Sequence, residues 1–486
     1  MKATFRRLPI FVAALVAASA IPAALADSAF GHGVERAMDL HRIALGRNGR
    51  FGIEIAAATL YSATQDAAGA ERHWRNALTV ADSPTQRMYV LQMLAENSLV
   101  AGDYDAGIET AEHLQKLAGE QQHAGYRAQA VGLLGRIARR RGELQEAYAF
   151  QQESLRIARA ANHPADAALA LVNIGTVLRD MGRFSEAMDQ QMQALDIRKQ
   201  LGPGNRVDVP YRNIGLLYRE IEDTQSAREY LEKAIAAARE EYDPAALSSA
   251  LGSYATLLND VGESTLALDT ARRALAIDSR LGDRQGIALE RLEAARALIA
   301  LKRWSEARIE IDAGLRLGES MRQADVLGRA LLYRGDLYSG EGQLAAAEAA
   351  YGRSLDYLTR AKLKPQLHAA YKAIEGLLEA RGEPQQALAY ARQRAVLREE
   401  LLGVTAARRL AVLELKQDRE RAERQVEMLR LDNSLKELNL RTETLRRRIG
   451  IAFIAMLVVL LGLVFWRWRK AHRTAKVLVR KNAEIS

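Results

Sequence analysis

A glycine returns every forty residues in this chain, and that spacing limits the fold more than any other feature. Gly102, Gly142, Gly182, Gly262, Gly342 and Gly382 share one grid, with Glu222 and Lys302 at its two remaining points. Five residues beyond each grid point stands a small residue: Gly107, Ala147, Ala187, Ala227, Ala267, Ala307, Ala347 and Ala387. A fixed period of this length marks a solenoid, in which one supersecondary unit stacks on the next and no unit folds alone.

The unit can be read from residues 168–201. Leu171, Ile174, Leu178 and Met181 recur every three or four positions, which predicts an amphipathic helix. Gly182 follows, where a positive φ suits a helix end. A second helix starts near Phe184 and carries Ala187, Met188, Ala194 and Leu195 on one face. Ala187 has to be small because the two helices cross there, and a larger side chain would push their axes apart. The layout returns at Ile214, Gly215, Tyr218, Ala227, Leu231 and Ala234, and at Gly335, Tyr338, Gly342, Leu344, Ala347 and Tyr351.

These positions resemble the tetratricopeptide repeat, with its small–small–aromatic pattern at set offsets. The usual unit has about 34 residues. The surplus here implies longer helices or longer turns, as in the long repeats of kinesin light chains and bacterial Rap-type regulators. The expected fold is all-α: a right-handed α-solenoid of about eight hairpins over residues 84–402. Residues 27–83 are expected to form an N-terminal helical cap or a degenerate repeat. The resemblance is to packing residues, so it speaks to fold and leaves function open.

Composition agrees with a helical repeat. Of 486 residues, 49% are apolar, 9 are proline and none is cysteine. Without cysteine there is no disulfide, thiolate nucleophile or Cys-ligated zinc. The eight histidines are scattered, and none shares a helix face with another at ligand spacing. Walker loops, G-x-G-x-x-G and G-x-S-x-G are absent. We therefore expect no enzyme, no metal and no cofactor. The net charge of +9 is concentrated near the chain ends, and no nucleic-acid-binding motif is visible, so nucleic acid is not an expected partner.

Two segments read as membrane signals. Residues 1–26 carry Lys2, Arg6 and Arg7, then an apolar run, then Ala24-Leu25-Ala26, the pattern of a secretory signal peptide. An uncleaved anchor is the other reading. Residues 449–466 hold no charge and no amide. As a helix they would span roughly 27 Å, close to the hydrocarbon thickness. Trp466 and Trp468 would sit at the interface. Arg467, Arg469, Lys470, Arg473, Lys476, Arg480 and Lys481 follow, which puts the tail of residues 467–486 in the cytoplasm. The expected arrangement is a single-pass protein of a bacterial inner membrane, in contact with its lipid, with periplasmic repeats and a cytoplasmic C-terminus.

Between repeats and membrane, residues 405–448 contain neither Gly nor Pro. Met428, Leu431, Leu435, Leu438, Thr442, Leu445 and Ile449 alternate three- and four-residue steps, a heptad seam. It predicts a coiled-coil stalk that would pair two copies. The other reading is an amphipathic helix that caps the last repeat.

In tetratricopeptide arrays the first helix of each unit lines a concave groove. By that resemblance Arg136, Arg139, Arg179, Arg212, Arg219 and Arg296 should face it, with Arg329 extending the stripe and Asn173, Asn213 and Asn259 beside it. Asn can donate to and accept from a peptide backbone, and Arg can hold a carboxylate through two parallel bonds. A protein or peptide ligand with acidic or C-terminal character follows.

The architecture resembles the periplasmic sensor half of membrane histidine kinases or diguanylate cyclases. Lys481-Asn482-Ala483-Glu484-Ile485 is similar to the linker before such an output domain. The twenty or so residues after the crossing are too few to bury a core. Three readings stay open: a shortened gene, a receptor subunit that signals through a separate cytoplasmic output protein, or an anchored scaffold.

Overall fold

The computed structural model describes residues 49–63, 66–361 and 363–483. The first twenty-six residues, read as a signal peptide, lie outside them. The described chain is helical and resolves into two units, Met1–Val412 and Leu413–Ser486.

In the first unit helices follow one another as antiparallel hairpins. They are α1 (Gly49–Ala63) with α2 (Ala67–Thr79), α3 (Pro84–Ala101) with α4 (Tyr104–Glu120), α5 (Ala124–Arg141) with α6 (Leu144–Ala160) and α7 (Pro164–Asp180) with α8 (Phe184–Gln200). Next come α9 (Asp208–Glu220) with α10 (Thr224–Glu240), α11 (Pro244–Asp260) with α12 (Ser264–Leu281) and α13 (Arg284–Ala300) with α14 (Trp304–Met321). The series ends with α15 (Ala324–Gly340), α16 (Leu344–Arg360), α17 (Lys364–Ala380) and the first part of α18 (Pro384–Ala483), a helix whose residues fall in both units. The surplus over the usual repeat length has gone into the helices, commonly 17 residues each, while the turns stay short.

Every grid point sits in the left-handed region: φ is 78° at Gly182, 82° at Gly262, 65° at Glu222 and 58° at Lys302. The turn around Gly182 is a Schellman closure. The Arg183 N–H donates to Leu178 O over 2.8 Å, and the Gly182 N–H donates to Arg179 O over 2.9 Å. A second grid runs twenty residues out of step, through Gln122, Asn162, Gly202, Tyr242, Gly282 and Arg322, all with positive φ. The two helices of a unit thus end in the same way, and the forty-residue unit is two modules of twenty. Left-handed backbone costs a side-chain-bearing residue about 1 kcal/mol. Gly262, around which an added Cβ would meet nothing, should lose about that much stability as Gly262→Ala. Lys302→Gly should gain a similar amount, both read from urea unfolding midpoints.

The core explains the small residues. Ala147, Ala187, Ala227, Ala267, Ala307 and Ala347 are fully buried where the second helix crosses the first. On the facing helix, glycines allow the approach: a Cβ on Gly175 would lie 2.5 Å from Gln191 Nε2, and one on Gly215 2.7 Å from Leu231 Cγ. Gln151 and Gln191 fill matching positions and donate to Gly132 O (2.7 Å) and Val172 O (2.9 Å) of the preceding helix. Ser154 and Ser354 repeat another buried bond, to Ala128 O and Gly328 O, each 2.7 Å.

First helices of successive units touch one another, as α3 with α5, α5 with α7, α11 with α13 and α13 with α15. The second helices make at most marginal contact with each other. The first helices therefore line the inner side of the stack.

In the second unit, Glu427–Ala475 is helical and contains a stretch long and apolar enough to cross a membrane, by length and composition. On the heptad seam Met428, Leu435, Leu438, Leu445 and Ile449 are all exposed.

Candidate peptide-binding groove

Three consecutive first helices build one cleft on the inner side. Glu96 of α3, Gln129 and Arg136 of α5, and Asp166, Leu169 and Asn173 of α7 line it. Gln129 donates to Asp166 Oδ1 over 2.9 Å, and Arg136 stands 3.8 Å from Glu96. Leu169 leaves 41% of its surface to solvent between these polar groups. The cleft is small, about 30 Å³, and sets hydrogen-bonding groups around one exposed leucine.

Further along, most of the arginines expected in the groove are already engaged. Arg139 donates to Asp180 over 2.8 Å and Arg219 to Asp260 over 2.6 Å, in each case a partner forty-one residues later. Arg179 makes the same step to Glu220 at 3.8 Å and also reaches Asp180 at 3.1 Å. These pairs are rungs between neighbouring units, three junctions in succession. Arg296 closes on Asp260 at 2.9 Å, so one carboxylate holds two arginines. A matching series ties each of three second helices to a residue at or near the start of the next second helix, with Arg228–Glu263 at 2.6 Å, Arg272–Glu306 at 3.2 Å and Arg308–Glu341 at 2.6 Å. Exposed pairs of this kind stabilise by under about 1 kcal/mol each, so their weight is in fixing orientation.

The three asparagines behave differently from one another. Asn173 lines the cleft. Asn259 donates to both the backbone and the carboxylate of Glu293, at 3.0 and 2.9 Å. Asn213 has to be taken out of the groove: it is buried and donates to Gln191 Oε1 at 3.4 Å, because its face of α9 packs on α8. Arg212 and Arg329 are half-buried, each with a buried Nε that meets no acceptor.

A group of acids in α12 and α13 was not expected. Glu290 and Glu293 are buried, and so is Asp278. Burial, with Glu293, Asp278 and Asp283 adding negative charge, pushes the Glu290 carboxyl up to about 9. Burial likewise raises Asp278 to about 6. The one available signal was a Glu at a register position where other units carry Ala or Pro, as at Ala130, Ala170, Pro210 and Ala250.

The fold defines a class, the α-helical repeat solenoid. Residues 126–200 and 166–240 match the tetratricopeptide repeat family, so these units are tetratricopeptide repeats, and the hairpins on either side share their geometry. No curated protein matches the chain. Among solved structures the chain is similar to a Rap protein complexed with Competence and Sporulation Factor. The TM-score is 0.53 at 13% identity, over 73% of this chain and 99% of that one. It is also similar to the Rap conjugation gene regulator of plasmid pLS20 in complex with the Phr* peptide, with a TM-score of 0.50 at 14% identity. That likeness spans 72% of this chain and 98% of the other. At such identity the likeness is one of fold.

Proposed function

We propose that the chain is a membrane-anchored binding module whose solenoid takes an extended peptide or protein segment along its inner side. The observation that carries this reading is the cleft across α3, α5 and α7, where Arg136, Gln129 and Asn173 offer donors and acceptors around exposed Leu169. The fold's likeness to two solved complexes described with Competence and Sporulation Factor and with the Phr* peptide supports it. The apolar stretch of residues 449–466 anchors the module in the bacterial inner membrane, with the repeats in the periplasm and the basic tail in the cytoplasm. A homodimer forms through the seam from Met428 to Ile449, whose side chains are exposed in the single chain. A separate cytoplasmic output protein receives the signal.

Protease added to spheroplasts should remove residues 84–402 and leave the C-terminal tail intact; protection of the repeats would end the periplasmic reading. Asn173→Ala together with Arg136→Ala should weaken peptide capture on an array by about tenfold or more, while the helical circular dichroism stays unchanged. Insertion of one to three residues near Thr442 rotates the seam against the membrane helix. Output that ignores every insertion would leave a scaffold as the better description.

A further inference from the structure

We infer that the outer side of the array holds a second binding site, for a small amphipathic carboxylate, in the gap between α10 and α12. The site shares no residue with the inner cleft and stands whether or not a peptide binds there. The second helices of successive units keep apart, and α11 packs on both α10 and α12. Between them lies a cavity of about 270 Å³, far larger than the inner cleft. Ile235 of α10, Leu251 of α11 and Leu266 of α12 give it an apolar lining. An apolar cavity of about 150 Å³ admits benzene, so this one has room for a body of that size with a head group attached.

Three departures from the repeat register open the gap. Where Leu266 stands, other units carry Glu146, Glu186 and Glu306. Thr270 takes the place that Phe150 and Tyr230 hold in α6 and α10. Ala236 stands where other units have Lys116, Arg156, Asp196 and Arg316. Two long side chains are thus missing from the walls, and an apolar one is added where charge is the rule. Leu266 leaves 43% of its surface to solvent.

The rim is cationic. Arg239 of α10 and Arg273 of α12 line the cavity, one from each flanking helix. Arg239 makes no ion pair among the described residues, and Arg273 reaches Asp269 only at 4.0 Å. The one acid in the lining, Glu232, accepts from the Tyr254 hydroxyl over 3.0 Å, and that hydroxyl accepts from Arg228 over 2.9 Å. Two guanidiniums with open donors beside an apolar floor fit a carboxylate on an apolar body.

The full chain in zwitterionic lipid nanodiscs is titrated with phenylacetate and with its uncharged amide, phenylacetamide, by ligand-observed NMR. Wild type should bind the acid about tenfold or more tightly than the amide. Arg239→Gln together with Arg273→Gln should lose about that factor for the acid and leave the amide unchanged. Leu266→Glu, which restores the residue of three other units, should lose both compounds. Its melting temperature should hold, because position 266 is exposed. Peptide retention on an array should be the same for wild type and every variant. Equal affinity for acid and amide overturns the carboxylate assignment. Binding that survives both the arginine pair and Leu266→Glu lies elsewhere and overturns the site, as does a wild type that binds neither compound. Loss of peptide retention in the same variants would make the gap part of the groove and overturn a separate site.

Discussion

Replacing Glu290 by Gln should make the repeat array more stable at pH 8 and leave it unchanged at pH 4. Glu290 is 7% exposed, its Oε2 meets no donor, and its nearest charged neighbours are the acids Glu293, Asp278 and Asp283. It fits only because α11 offers Gly252, where a Cβ would collide with its carboxylate. Its carboxyl is raised from the ordinary 4.5 to about 9. Below the unfolded value the group is neutral in both states and has no effect. Above it the unfolded chain releases the proton while the folded chain keeps it. Stability therefore falls as pH climbs from about 4.5 and levels off near 9. Gln removes that dependence with little change in shape. The gain at pH 8 should be on the order of a few kcal/mol. Hydrogen exchange of the α11 and α13 amides reads it locally, which suits an array whose units can open separately. A variant with an unchanged pH slope would mean that Glu290 finds a counter-charge.

The second large effect is expected at Gly335. A Cβ there would run into the Tyr351 ring. Tyr351 is 2% exposed, and its hydroxyl donates to Asp336 Oδ1 over 2.8 Å. Burial raises the Asp336 carboxyl to about 6 even with that bond in place. The ring cannot retreat without leaving a poorly solvated carboxylate unserved. Gly335→Ala should destabilise by about 2–3 kcal/mol, overpacking and the weakened hydrogen bond together. Gly352, on the exposed side of α16, is the comparison, since an added Cβ there meets nothing. Gly352→Ala should be neutral or gain up to about 1 kcal/mol from backbone entropy. Urea unfolding of both variants decides it, and equal midpoints would refute the packing account.

The forty-residue grid was legible because glycine marks it. Its twin was not, because Gln122, Asn162, Tyr242 and Arg322 take the same left-handed turn. The Schellman bonds around those residues over-determine the conformation, so residue type carries little trace of it. Helix positions and the crossing alanines were legible for a similar reason: each is decided by contacts within one hairpin. The groove was less so. Arg139 and Arg219 look like ligand-binding residues until their partners appear forty-one positions away, in the next unit. Asn213 follows I-G spacing as Asn173 does, yet it turns toward Gln191. Burial of Glu290 depends on Gly252 of another helix, a pairing that no single-unit pattern reveals.

Because both turns of a unit close alike, the chain has a natural cutting length and a forbidden one. Excising forty residues between equivalent turns, for instance 263–302, would shorten the array and leave every remaining helix on its own side. Excising twenty would join turns of identical shape just as smoothly, but every helix beyond the cut would exchange inside for outside. Lengthening or shortening of such a chain by duplication should therefore proceed by whole pairs, although the backbone alone would accept halves.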